Sequence, residues 1–376
     1  MKMKKRVGII TMHRVLNPGS ILQAYALYKQ VCRLGYECEI IDYQYPNEIH
    51  LEKNNVHDRG IIKMLHSLFQ RIVFFILYRG SLQRKRYMRF MYNNLSLSKY
   101  YPTKESLFCD SPQYDIYMTG SDQVWNPKCM KGDDSFFCAW KSDSKRVSYA
   151  SSFSTSIIPD IYKEHYCSHL RKYDYLGVRE QSAVELIRNL VDRDSVVVCD
   201  PTMLLSKADY LPLLKHSNIH KKKPYILVYA LTYAYDPYPQ MDLIIKKIKD
   251  ILKLPVVYLY TNSIDKFHYK GAITSAGPCE FVDLFMHASF VITSSFHGTV
   301  FALNFGVPFY SIVPDEVNED SRIMSLLQLV GASDRAIRVS QQVSKVEVGM
   351  DYLPINRIIE NFRSDSNEFL KESLMH

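Results

Sequence analysis

Residues 7–42 read VGIITMHRVLNPGSILQAYALYKQVCRLGYECEIID, and this stretch decides the fold. Val7–Thr11 is a short β-branched run ending in a polar residue, the pattern of a buried strand. The loop that follows contains Asn17-Pro18-Gly19, and from about Ser20 to Leu34 apolar residues recur at helical spacing until Gly35 stops the helix. Glu39–Asp42 then supplies a second strand. Strand, helix and parallel strand make a right-handed βαβ unit.

Working outward, the same alternation continues to the far end of the chain. Further strands are expected at Asp115–Thr119, Arg146–Ala150, Tyr175–Val178, Val196–Cys199, Tyr225–Leu231, Val256–Tyr260, Phe290–Thr293 and Phe309–Val313. Strands separated by helical segments imply parallel sheets covered on both faces, so the fold class is α/β. The 376 residues suffice for two or three domains. Lys221-Lys222-Lys223-Pro224 precedes a new hydrophobic strand and marks a boundary. The expected organisation is a first α/β domain over residues 1–205 with a basic helical insertion at about 50–110, and a linker over 206–224. A second α/β domain over 225–355 and a terminal helix over 356–376 follow. The sequence does not say which domain that helix packs against.

Composition excludes several classes. At 47% hydrophobic and 23% charged residues, the chain is neither disordered nor low in complexity. Its +8 net charge is local: the segment from Arg59 to Arg89 holds eight Lys/Arg and no Asp or Glu, and the remainder balances at 39 basic against 39 acidic residues. A nucleic-acid binder would spread positive charge over a face, so no nucleic-acid partner is expected. Eight cysteines without a CxxC pair give no zinc ribbon or redox motif, and a reducing, cytoplasmic setting fits them. After the basic residues Lys4-Lys5-Arg6 the apolar stretch ends within six residues at His13-Arg14, which is too short for a secretory signal.

The basic segment carries its own question. Residues 60–78 contain an uninterrupted apolar run of only seven residues, Ile72–Tyr78, whereas a membrane span needs about 20. One reading is an amphipathic helix packed on its own domain. The other is an interfacial helix at the inner face of a membrane, with Arg79 and Arg84-Lys85-Arg86 against anionic headgroups.

Two strand-to-helix turns concentrate chemistry. Phe290–Pro308, FVITSSFHGTVFALNFGVP, places Ser294, Ser295, His297, Gly298 and Thr299 at the carboxyl edge of a parallel sheet, where ligands of open α/β folds bind. Free N–H groups at a helix start attract an anion, and His297 exchanges protons near neutral pH. The turn Gly120-Ser121-Asp122-Gln123 after a central strand presents polar groups to the same edge, with Asp122 reading either as a cleft group or as a helix N-cap. Arg179-Glu180 ends another strand, as an anion site or an ion pair. Weaker signals are Asp192-Arg193-Asp194 and the i,i+4 pairs His165/His169 and His216/His220, which lack the Glu of H-E-x-x-H and read as solvated helix faces. Neither a dinucleotide fingerprint nor a P-loop is present.

Taken in order, these stretches resemble the polysaccharide pyruvyl transferase family. The markers are Asn17, Gly19 and Leu22-Gln23; Gly120 to Asn126; Ser148-Tyr149-Ala150-Ser151; Val178-Arg179-Glu180; Asp200-Pro201-Thr202; and Ser294 to Thr299. The resemblance implies two Rossmann-like parallel-sheet domains facing each other, as in GT-B glycosyltransferases, with the site between them. It implies transfer of pyruvate from phosphoenolpyruvate to two hydroxyls of a sugar, as a ketal, during surface or capsular polysaccharide synthesis. No cofactor and no metal are then required; the partners are phosphoenolpyruvate and a glycan acceptor, lipid-linked or free. His297 and Asp122 are the expected catalytic pair, and Asn17, Gly19, Ser121 and Gln123 are expected at the acceptor. Ser294, Ser295, Gly298, Thr299, Arg179 and Arg322 are expected at the donor. Some family members carry an arginine two residues before the histidine; here that position is Ser295, and Arg322 with Arg179 is expected to replace it. The alternatives are a nucleotide-sugar glycosyltransferase of the same fold and a non-catalytic glycan- or membrane-binding relative.

Overall fold

The computed structural model describes residues 4–45, 81–140, 144–219, 223–260, 269, 271–316 and 321–375. The segment read as an amphipathic or interfacial helix, residues 60–78, lies outside them, as does His220.

Among the described residues the chain builds two fully parallel sheets. The first contains β1 (Arg6–Ile10), β2 (Glu37–Tyr43), β3 (Leu97–Tyr101), β4 (Ile116–Thr119), β5 (Lys145–Ser151), β6 (Tyr175–Val178) and β7 (Val196–Val197) in the order β3-β2-β1-β4-β5-β6-β7. The second contains β8 (Ile226–Tyr229), β9 (Val256–Leu259), β10 (Phe290–Thr293), β11 (Phe309–Val313) and β12 (Ala336–Arg338) in the order β12-β11-β10-β8-β9. Nearly every residue of the central strands β1, β4, β8, β10 and β11 is buried, which is why they read as continuous apolar runs.

In each sheet the strand order reverses once: between β1 and β4, and between β8 and β10. Loops leaving neighbouring strands at a reversal part to opposite faces and leave a crevice at the carboxyl ends. The two crevices open toward each other across the domain interface.

The first helix, Pro18–Arg33, starts two residues earlier than the periodicity suggests because Asn17 caps it by accepting from the Gly19 amide at 2.9 Å. Two elements depart from the sequence reading. Within the stretch expected to be helical, residues 97–101 form the edge strand β3, between helices Leu82–Asn94 and Lys104–Cys109. The terminal helix begins at Tyr352 and serves both domains: Tyr352 donates to the Val307 carbonyl at 2.6 Å, whereas Ser366 accepts from the Cys199 amide at 2.9 Å and Phe369 packs on Tyr149. A buried ion pair, Arg86 to Glu280 at 3.1 Å, also joins the domains, and Arg86 donates to the Ser275 carbonyl at 2.8 Å. Arg86 therefore faces the second domain rather than a lipid surface. Among the described residues no helix is long and apolar enough to cross a membrane.

Candidate active site

A cleft of about 370 Å³ lies where the two crevices meet. From the first domain, Met12 follows β1, Asp122 and Gln123 follow β4, and Asn17 and Ser20 begin the first helix. From the second, Leu231 follows β8, and Ser294, Ser295, Phe296 and His297 follow β10. Arg322, Lys128 and Lys131 bring three cationic side chains to the wall.

His297 occupies the first turn of the helix Phe296–Phe305, which Ser295 caps by accepting from the Gly298 amide. Its Nε2 lies 3.5 Å from Oδ2 of Asp200, a first-domain residue. That carboxylate is the junction of the site. Its Oδ1 accepts from the Thr202 amide and hydroxyl, and its Oδ2 accepts from Arg179 and from the Ser121 hydroxyl, each at 3.2 Å. Burial alone would raise its pKa, but His297, Arg179 and Thr202 outweigh burial and hold it well below the usual carboxylate range. Asp122 behaves likewise: burial raises its pKa, while His297, Arg179, the Ser20 hydroxyl at 2.5 Å and Arg322 bring it below normal. Two ionised carboxylates thus sit inside a buried, cation-rich cleft.

Phe296 organises the cations. The Arg179 guanidinium lies 4.5 Å from its ring centroid and that of Arg322 5.7 Å away, so one aromatic side chain gathers an arginine from each domain. Nε and Nη2 of Arg179 are buried without a hydrogen-bond partner among the described residues. The sequence offered Arg179-Glu180 as an anion site or an ion pair, and Arg179 does pair, with Asp200 and at 3.9 Å with Glu180.

Of the residues expected at the site, His297, Asp122, Ser294, Ser295, Arg322, Asn17 and Gln123 line the cleft, and Arg179 is buried, packed on the ring of the lining residue Phe296. Four do not reach its surface. Ser121 is fully buried, holding Asp200; Thr299 is fully buried, bonded to Ser311 at 2.7 Å; and a Cβ on Gly298 would collide with the Thr293 hydroxyl. Gly19 lies flat against the imidazole of His297, with no room for a methyl group beside Nδ1. None of these four lies at the cleft surface, and each shapes the site by packing. Asp122 caps no helix: its φ is 78°, a left-handed conformation, and it bridges to Ser151. Sequence reasoning missed Asp200 as a site residue, although Asp200-Pro201-Thr202 stood among the motifs, and it missed Lys128, Lys131 and Tyr45.

Two parallel α/β sheets face each other across a cleft lined by Asp122, His297 and Arg322 at the two switch points, a GT-B-like arrangement. The sequence profile of the polysaccharide pyruvyl transferases matches residues 17–316, and the chain belongs to that family. Membership makes it a transferase acting on polysaccharide. Similar solved structures include the UDP-GlcNAc 2-epimerase of Methanocaldococcus jannaschii (12% identity, 95% of this chain and 92% of that one, TM-score 0.47). The UDP-GlcNAc 2-epimerase of Neisseria meningitidis bound to UDP-GlcNAc is another (10% identity, 99% and 100%, TM-score 0.48). A third is Arabidopsis thaliana UGT89C1 with UDP-L-rhamnose (10% identity, 100% and 93%, TM-score 0.46). No curated protein matches the sequence.

Proposed function

We propose that the cleft transfers the pyruvyl group of phosphoenolpyruvate to two hydroxyls of a sugar on a surface or capsular glycan, forming a cyclic ketal and releasing phosphate. The observation that carries this reading is the junction at Asp200, where His297 of one domain and Arg179 of the other meet a buried carboxylate beside Arg322. Phosphoenolpyruvate brings a phosphate and a carboxylate, and charge-assisted contacts from Arg322, Lys128 and Lys131 suit both. Arg179, held over Phe296, adds positive charge beneath them and takes the place of the arginine that Ser295 lacks.

In this mechanism His297 gives a proton to the methylene carbon of the donor, and the adjacent carbon, now electron-poor, is attacked by the first sugar hydroxyl. Asp122, ionised in the cleft, accepts the proton that this hydroxyl loses and stabilises the positive centre by charge. The carbon–oxygen bond to phosphate then breaks, the second hydroxyl closes the ring, and its proton leaves with the phosphate. Asp200 positions the imidazole. No cofactor and no metal enter these steps. The acceptor is lipid-linked, and the basic residues of segment 59–89 other than Arg86, which pairs with Glu280, bring the protein to the anionic inner membrane surface where such acceptors are displayed. The test is phosphate release from phosphoenolpyruvate: release that requires a galactoside acceptor supports the reading, and release that ignores the acceptor, or a response only to nucleotide sugars, overturns it.

A further inference from the structure

Outside the cleft, one cluster brings together side chains that no step above uses. One ligating atom from each of Asp134, His165 and His169 lies within 4.8 Å of the others. We propose that these three residues bind a divalent transition-metal ion such as zinc, which staples the cleft-wall segment 127–138 to the helix Asp160–Leu170. The proposal does not depend on the pyruvyl-transfer reading.

The geometry starts from the helix. Residues 165 and 169 are one turn apart, so their imidazoles share a face, and their ring centroids are 4.6 Å apart. The sequence pattern reads as a solvated face, but His169 is 8% exposed and stacks on Phe137 at 5.1 Å. Stacking fixes the ring without supplying a polar partner. Nδ1 of His169 and Nε2 of His165 are buried with no hydrogen-bond partner among the described residues. The unpartnered Nε2 of His165 calls for a partner, and a metal ion is one it can share with Nε2 of His169, the nitrogen that faces Asp134.

Asp134 completes the set, its Oδ2 3.9 Å from Nε2 of His169. A tetrahedral ion with bonds of about 2.0–2.2 Å holds its donors roughly 3.3–3.6 Å apart, so binding draws the cluster together by about 1 Å of side-chain rotation. Two histidines and one carboxylate leave the fourth position to water. The cost is electrostatic: Lys104 pairs with Asp134 and must release it, and Lys172 and Arg146 also lie near His169. The gain is structural, because segment 127–138 is irregular, with left-handed backbone at Lys131, Gly132 and Cys138, and it carries Lys128 and Lys131 to the cleft.

The experiment titrates the chelator-treated full chain with Co²⁺, reading visible absorption, and with Zn²⁺, reading the thermal melt. One saturable equivalent and a Zn²⁺-dependent rise in the melt are expected. His165→Gln and His169→Gln should each weaken binding by more than about 100-fold, beyond what loss of a group outside the ligand set costs. Lys104→Met should tighten binding by removing the competing ammonium, and His297→Gln should leave it unchanged. Should His169→Gln unfold, His165→Gln on the partly exposed histidine decides. Absence of saturable binding in the parent protein, undiminished binding in His165→Gln, or its loss in His297→Gln would each overturn the proposal.

Discussion

Replacing Gly19 by alanine sets two physical arguments against each other. Gly19 lies in the first turn of the helix Pro18–Arg33 and is not among the residues with positive φ. Backbone propensity alone therefore favours alanine by about 0.5–1 kcal/mol. The packing says the opposite. The added methyl would overlap Nδ1 and Cγ of the His297 ring and lie 2.6 Å from its Cβ, where ordinary contact begins at 3.4 Å. Rotating the imidazole relieves the ring contacts but not the one to Cβ, which stays in place under χ1 rotation. The two helix starts must separate by about 0.8 Å, the difference between 3.4 and 2.6 Å. Overpacking of this kind costs about 1–3 kcal/mol. The movement also takes His297 away from Asp200, already at 3.5 Å, and a misplacement near 1 Å costs on the order of 100-fold in turnover. The assay is phosphate release from phosphoenolpyruvate with acceptor, alongside a thermal melt. The expected result is a large fall in kcat with a melt that does not rise. Full turnover together with a raised melting temperature would show that the domains do not close on this contact, and the reasoning would fail.

The other substitutions separate roles within the cleft. Arg322→Ala should lose a charge-assisted contact of about 1.5–3 kcal/mol, a fall of roughly 10- to 150-fold in kcat/KM for phosphoenolpyruvate, expressed mainly in KM. His297→Gln should instead lower kcat by about 10²–10⁴-fold, and unchanged turnover would remove it as the proton donor. Asp200, whose pKa is depressed in the folded state, contributes stability that is present above its unfolded pKa of about 3.9 and lost as pH falls through the folded value. The stability gap between the parent protein and Asp200→Asn, measured by denaturant titration, should therefore be full near pH 7 and shrink below about pH 4; a gap that widened in acid would contradict the assignment. Sedimentation with anionic vesicles should fall as salt rises, since exposed charges are screened beyond about 8–10 Å, and equal binding to neutral vesicles would count against membrane attachment through residues 59–89.

Which parts of the fold could be read from sequence follows from burial. The strands Tyr175–Val178, Phe290–Thr293 and Phe309–Val313 coincide with their apolar runs because almost all their residues are inside. The two strands that escaped notice, Leu97–Tyr101 and Ala336–Arg338, lie at sheet edges, where one side faces solvent and no apolar run is needed. Val196–Cys199 reads as one strand, yet β7 stops at Val197 because the chain turns to let Asp200 cap the helix Pro201–Leu204. The position of the cleft was legible too, since it follows from where the central strands end. What each polar residue does there was not. Gly19 and Ser121 act on partners 278 and 79 positions away, His297 and Asp200, and no local pattern records such a contact. The same holds for His169, whose burial under Phe137 depends on a segment some thirty residues earlier.

The central claim rests on a chemical product, so the most direct measurement is mass spectrometry of a galactoside incubated with phosphoenolpyruvate and the full chain. The account predicts an acceptor heavier by pyruvate less one water, formed in equal amount to the phosphate released and lost with the His297→Gln variant. Phosphate released without a modified sugar, or an acceptor that gains a hexose from a nucleotide sugar instead, would contradict it.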